Sequence, residues 1–315
     1  MSELTSSAFD EVLVEVTRAG LVESEHRGHF ALLNSDGSIA TSAGDIDALI
    51  FPRSTVKAMQ ASAMVRHGLV LPAEQLAMAQ SSHSGSAAHL EVVRAILSGA
   101  GLDESYLRNA ADRPLGTAER AAWADAEPTR LAHNCSGKHA AMLATCVING
   151  WDLESYLAPE HPLQQAIIAE MSELGSRAIE LITADGCGAP LFGMTTRSLA
   201  TAIHRITISS DPVHQQVISA AREFPFMVAG SGRTTTVMME RIPGLYMKDG
   251  IEAVEVFSIP DGSACAFKIA DGGLRPFAAI NKAVFDAWGI ESGIEPVLIY
   301  GGSQVVGEVR TRLHL

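Results

Sequence analysis

The chain has 315 residues, is 47% hydrophobic, and sets 36 acidic against 23 basic residues for a formal net charge of -13. A surplus of that sign, with no basic patch anywhere along the sequence, excludes nucleic acid and anionic membrane surfaces as partners. The N-terminus, Met1-Ser2-Glu3-Leu4, lacks the basic-then-apolar pattern of a signal peptide. No run of about 18 apolar residues could span a bilayer, and four cysteines without a secretory signal read as free thiols or ligands. A soluble, cytoplasmic protein is expected.

The first segment reads as β. Glu11 to Val16 is a strand, and His29 to Asn34, the turn Ser35-Asp36-Gly37 and Ser38 to Ala40 make a hairpin. Pro52 then stands where a helix can start, and Thr55 to His67 continues it until Gly68. From about 72 to 225 the pattern is mostly helical: Pro72 to Met78, Ala87 to Leu97, Ala118 to Ala126, Gly137 to Ile148 (stopped by Asn149-Gly150), Leu163 to Leu174 and Asp211 to Glu223. The last stretch returns to β. Ala253 to Ile259 and Ala264 to Ile269 flank the turn Pro260-Asp261-Gly262-Ser263, followed by a helix over 276–288 and a strand from Pro296 to Tyr300. Strands distant in sequence would thus share one sheet, with helices segregated from it. The expectation is an α+β fold in one unit, with a sheet lobe from about 1–52 and 226–315 and a helical lobe over about 53–225.

The chemistry-bearing residues cluster. Ser54 and Lys57, in Phe51-Pro52-Arg53-Ser54-Thr55-Val56-Lys57, are one helical turn apart. A serine hydroxyl needs a base to become a nucleophile, and a lysine three residues on faces the same side. This Ser-x-x-Lys pair is the acylation motif of penicillin-binding proteins and serine β-lactamases. The chain has only five lysines, at 57, 138, 248, 268 and 282. Ser54 near a helix N-terminus would meet free backbone NH groups; a helix cap followed by a surface lysine is the plain alternative. The loop Gln80-Ser81-Ser82-His83-Ser84-Gly85 could bring a second hydroxyl, Ser82, beside Ser54, or be an ordinary turn. Cys135 and Lys138, in Asn134-Cys135-Ser136-Gly137-Lys138-His139, would share a helix face. Cys265 and Lys268 have the same spacing, but on a strand they face opposite sides. The loop Asp185-Gly186-Cys187-Gly188 exposes a cysteine beside a carboxylate. Cys135 and Cys187 read either as thiolate ligands for zinc or as buried free cysteines. Lys268 could reach the cleft from the sheet. Arg233, among glycines and hydroxyls, suits a substrate carboxylate or is an ordinary loop arginine, and His83 is as compatible with hydrogen bonding as with catalysis.

Taken together, the five motifs at 51–57, 82–85, 134–139, 185–188 and 267–272 resemble, from about residue 10 to 310, the L-asparaginase II family of the Rhizobium etli type (class 3). The resemblance implies hydrolysis of L-asparagine to aspartate and ammonia, a homodimer, and a fold similar to serine β-lactamases, penicillin-binding proteins and glutaminases. It implies catalytic roles for Ser54, Lys57, Ser82 and Lys268, and zinc held by Cys135, Lys138 and Cys187. Arg53, His83, Asp185 and Arg233 are the candidate substrate contacts. A further cysteine that family members can carry shortly before the sheet lysine has no counterpart over Glu252 to Phe257. The readings left beside this one are a related serine amidohydrolase acting on glutamine or β-lactams, and a catalytically silent amino-acid-binding protein.

Overall fold

The computed structural model describes residues 10–315, so the reading of Met1–Leu4 falls outside it. Strands β1 (Glu11–Arg18) and β2 (Leu21–Leu33) form a hairpin around Ala19-Gly20, both with positive φ, the two-residue turn that matches the twist of paired strands. The first half of β2 is largely exposed and pairs with β1. Its second half turns inward and pairs with β3 (Ile39–Ala43) on one side. The chain then enters the short strand β4 (Leu49–Ile50), a single 3-10 turn at Arg53–Val56, and helix α1 (Lys57–Arg66).

The helical middle follows the expected order: α2 (Ala73–Ala79), α3 (Ala87–Gly99), α4 (Thr117–Trp123), α5 (Ser136–Asn149) and α6 (Pro162–Gly175). Ser86 caps α3 by accepting from the His89 amide, and Gly150 ends α5 in the left-handed conformation. Three short strands, β5 (Ile182–Ala184), β6 (Pro190–Phe192) and β7 (Met194–Thr195), precede α7 (Thr196–Ile208), a helix absent from the sequence reading. Thr195 caps it through the Ser198 amide, and it packs along β2 and the later strands rather than with the other helices alone. Helices α8 (Pro212–Glu223), α9 (Pro225–Val228) and α10 (Thr234–Arg241) lead to β8 (Tyr246–Gly250), β9 (Val254–Ser258) and β10 (Ala264–Ile269). Helix α11 (Phe277–Ala287) and the hairpin β11 (Val297–Gly301)–β12 (Gln304–Thr311) complete the chain.

The result is a mixed α/β fold built on one antiparallel sheet in the order β11-β12-β1-β2-β10-β9-β8, with β3 also on β2. As the sequence predicts, its strands come from the two ends of the chain. One face is covered by α7. The other packs on α11, where Phe257 meets Phe285 and Trp288 at ring centroids 5.1 and 5.6 Å apart. Strand β8 forms an edge, and it is this edge that meets the 3-10 turn carrying Ser54. No helix is long and apolar enough to cross a membrane among the described residues.

Candidate active site

Ser54 occupies the 3-10 turn immediately after Arg53, whose φ of 54° lies in the left-handed region. A non-glycine residue there costs on the order of 1–2 kcal/mol and persists only where its surroundings fix it. Here the guanidinium is fixed: Nε and Nη2 of Arg53 lie 2.9 and 2.8 Å from Asp185 Oδ1. The edge strand comes close to the turn. A Cβ at Gly250 would sit 3.1 Å from the Pro52 carbonyl oxygen and 3.3 Å from the Ser54 amide nitrogen, so only a residue without a side chain fits comfortably. The Ser54 hydroxyl has no hydrogen-bond partner among the described residues and opens onto a cleft shared by Arg53, Lys57, Gln60, Lys138 and Asp185.

Lys57 begins α1 and is 1% exposed. Its Nζ has three acceptors in reach, the Ser81 carbonyl, the Ser82 hydroxyl at 3.1 Å and Cys135 Sγ at 3.1 Å. The Ser-x-x-Lys pair therefore shares the cleft without a direct bond, an arrangement common before substrate arrives. Ser82 is held in the α2–α3 loop by its amide on the Val228 carbonyl at 2.9 Å.

A second lysine does reach Ser82, but it is Lys248. This residue is fully buried on β8, with Nζ 3.0 Å from Ser82 Oγ, 2.8 Å from the Asp249 carbonyl and 3.2 Å from Asp249 Oδ1. Burial pulls it down to about 8. The Asp249 carboxylate resists this, while the positive charges of Lys57 and Arg233 add to it. The expectation for Lys268 is corrected accordingly. Lys268 pairs with His29 and Val254 on β10, two strands in from the edge, and its ammonium donates to the Ile269 carbonyl. Its face of the sheet is the one expected, since Lys248, Val256 and Ala266 lie in one register row and Val254 with Lys268 in a parallel row. The strand is not. Cys265 points to the opposite face from Lys268, as its spacing predicts, and no cysteine stands between Arg233 and Lys248 either.

Two other candidate substrate contacts already have protein partners. His83 is completely buried, with Nε2 2.8 Å from Ser136 Oγ and its ring stacked 5.3 Å from that of His89. Burial holds it well below the ordinary histidine value, with the nearby His89 and Lys57 adding to the effect, so it is a neutral packing residue. Arg233 lies at the site but its fork is occupied. Nη1 donates to the Ser82 carbonyl at 2.9 Å and Nη2 to Asp249 Oδ2 at 2.6 Å.

Cys135, Lys138 and Cys187 converge from the start of α5 and the β5–β6 loop, all buried. Gly137 permits this. A Cβ there would lie 2.5 Å from the Met78 carbonyl oxygen, so α5 can enter only against α2 without a side chain. Lys138 Nζ is 3.4 Å from Cys187 Sγ. A hydrogen bond with Cys135 brings the Cys187 thiol down to about 5, against its burial and with help from Lys138. Burial opposes the charge on Lys138, but the sulfurs of Cys187 and Cys135 and the carboxylate of Asp185 outweigh it and raise its value. Among the described residues no three His, Cys, Asp or Glu side chains are grouped to hold a metal. The donors that fit a soft ion are thus two thiols and one amine, the sulfur already poised as thiolate.

A larger groove between α11 and the β11–β12 hairpin, with Lys282, Asp286 and Arg310 on its walls, has no nucleophile facing a base. The cleft at Ser54 is the one that sets a hydroxyl beside a lysine.

No curated protein matches the chain. Among solved structures it is similar to Mglu in its glutamate form (TM-score 0.47, 11% identity, 84% of this chain and 61% of that one). It is also similar to a beta-lactamase from Mycobacterium bovis (TM-score 0.38, 14% identity, 83% of this chain and 94% of that one). The chain thus spans about three fifths of the length of Mglu. The L-asparaginase II family model matches residues 14–310, a span that holds every residue of the Ser54 cleft, and the chain belongs to that family of amidohydrolases.

Proposed function

We propose that the protein hydrolyses L-asparagine to L-aspartate and ammonia through an ester on Ser54. The observation that carries this reading is the convergence of Ser54 and Lys57 on one cleft, with the Ser82 hydroxyl bonded to both Lys57 and Lys248. Ser54 Oγ attacks the carbonyl carbon of the side-chain amide, and its proton passes to Lys57. The Ser54 backbone NH is the oxyanion donor. As the carbon–nitrogen bond breaks, the proton travels over Ser82 and Lys248 to the leaving nitrogen, which departs as ammonia. Water then attacks the β-aspartyl ester, giving aspartate and free Ser54. Two neighbouring ammonium groups disfavour each other, which helps one lysine to be neutral near pH 7.

Arg53 and Asp185, an ion pair on the cleft wall, match the α-carboxylate and α-ammonium of an amino acid. Cys135, Lys138 and Cys187 would hold zinc, which would supply a fixed positive charge beside Asp185 and brace the two loops. The four cysteines are all free and buried, in keeping with a reducing, cytoplasmic setting, and the family resemblance supports a homodimer.

The test is ammonia release from L-asparagine, with L-glutamine in parallel, for the native chain and Ser54→Ala. Asparagine-selective release that falls by about 10³-fold or more in the variant supports the reading. Substantial residual turnover in the variant would sink the serine route.

A further inference from the structure

Four residues close a ring at the sheet edge, with one link through the Ser82 main-chain carbonyl. Arg233, at the start of α10, donates through Nη1 to the Ser82 carbonyl at 2.9 Å and through Nη2 to Asp249 Oδ2 at 2.6 Å. Asp249 Oδ1 accepts from Lys248 Nζ at 3.2 Å and from Thr235 Oγ1 at 3.1 Å. Lys248 Nζ returns to Ser82 Oγ at 3.0 Å. We propose that Arg233 and Asp249 are positioning residues that lock Ser82 and Lys248 together and set the charge Lys248 experiences. The inference rests on the reading of Ser82 and Lys248 as the groups that carry the proton.

Ser82 belongs to the α2–α3 loop and Lys248 to β8, so nothing in the backbone fixes one to the other. The ring does so with charge-assisted bonds, the strongest class available to a side chain. Proton transfer between the pair depends on that spacing. Because both ends of the Arg233 fork are committed, a substrate carboxylate would have to displace Asp249 or Ser82 to reach it. The charged groups facing Lys248 are Lys57 across Ser82, Arg233 and Asp249 in the ring, and Glu255 opposite Asp249 on β9. Burial pushes the Glu255 carboxyl well above the usual carboxylate range, which disfavours its charged form. Asp249 is thus the anion that Lys248 answers to, and Arg233 the cation that moderates it.

With only five lysines, the protein labelled with 13C at lysine Cε gives five signals to follow against pH, and Lys248→Met assigns the one that matters. Asp249→Asn should lower the Lys248 midpoint by about one pH unit or more, and Arg233→Met should raise it. Shifts of opposite sign are expected from the ring. A plain structural brace would admit water in both variants and raise both midpoints; that outcome, or no shift, overturns the proposal. Arg233→Lys keeps the charge, and it should leave the midpoint near native while lowering kcat. It serves if Arg233→Met fails to fold. For ammonia release from L-asparagine, Arg233→Met should lose about tenfold or more in kcat with KM close to native. A raised KM at unchanged kcat would make Arg233 a substrate ligand and refute the ring. The NMR readout needs no substrate. Silence of the native chain toward asparagine would therefore count against the substrate alone, and the midpoints would still decide the ring.

Discussion

Lys248 donates to the Ser82 hydroxyl at 3.0 Å although 166 residues separate the two along the chain. The sheet lysine that reaches Ser82 is therefore Lys248 and not Lys268, and substitution tests which of the two carries the proton. Lys248→Met should lower kcat for ammonia release by about 10²–10⁴-fold, the range of a lost proton-transfer group. Lys268→Met should turn over like the native chain. The reverse ranking would return the role to β10.

Activity should follow the neutral form of Lys248. With its value pulled down to about 8, the fraction able to accept a proton grows as pH rises through that point. The pH profile of kcat/KM should climb about tenfold per unit below pH 8 and flatten above it. In Lys248→Met that limb should vanish from the residual rate.

In the helical region, Glu170 is 5% exposed and accepts from Ser62 at 2.8 Å, Arg66 at 2.9 Å and His214 at 2.7 Å. Burial alone would raise its value, but His214, Arg66 and Ser62 override it and bring it to about 2. A depressed folded-state value stabilises above the unfolded value near 4.5 and is lost as pH falls toward about 2. Glu170→Gln should cost roughly 2–3 kcal/mol at pH 7, and the gap to the native chain should close between about pH 4.5 and 2. Urea unfolding at several pH values measures this.

Gly250→Ala probes the approach of β8 to the nucleophile. The added methyl meets Pro52, Arg53 and Ser54 at 3.1–3.3 Å, so the turn must give by a few tenths of an ångström. We expect kcat to fall by about tenfold with unfolding free energy changed by no more than about 1 kcal/mol. Unaltered kcat would mean that the position of Ser54 tolerates this displacement.

Zinc binding should release protons, because Lys138 has a raised value and must become neutral to coordinate. Affinity should therefore increase with pH, and Cys187→Ser should lose the ion while the fold persists. Metal analysis after dialysis at pH 6 and pH 8.5 reads both. Equal zinc content in the variant would point to other ligands.

Helices with clear end signals were legible in the sequence. Asp211-Pro212 opens α8 and Asn149-Gly150 closes α5 at the positions expected. Helix α7 was not, because Thr196–Ile208 is rich in Thr and Ile, residues of modest helix propensity. Its helicity comes from burying Leu199, Ala202, Ile203 and Ile206 against the sheet. Strand β8 was hidden for a related reason: Tyr246-Met247-Lys248-Asp249-Gly250 ends like a turn and becomes a strand only by pairing with β9. A signal did exist, since Lys248-Asp249-Gly250 has the Lys-x-Gly form that accompanies Ser-x-x-Lys in acylating enzymes. Motif spacing could bring Cys135 near Cys187, but it could not say that the fork of Arg233 is already filled. That depends on which loop carbonyl lies opposite it.

Strand β1 takes β2 on one side and β12 on the other, with Val14 opposite Thr311. During synthesis its second partner arrives only when nearly the whole chain has been made, roughly 15–60 s later at about 5–20 residues per second. Until then Leu13, Val14 and Val16, completely buried in the finished sheet, lie on a strand with one edge unpaired. The nascent protein must therefore wait with a sticky edge exposed, and a chaperone that shields residues 11–18 would act on the most vulnerable stage of its life.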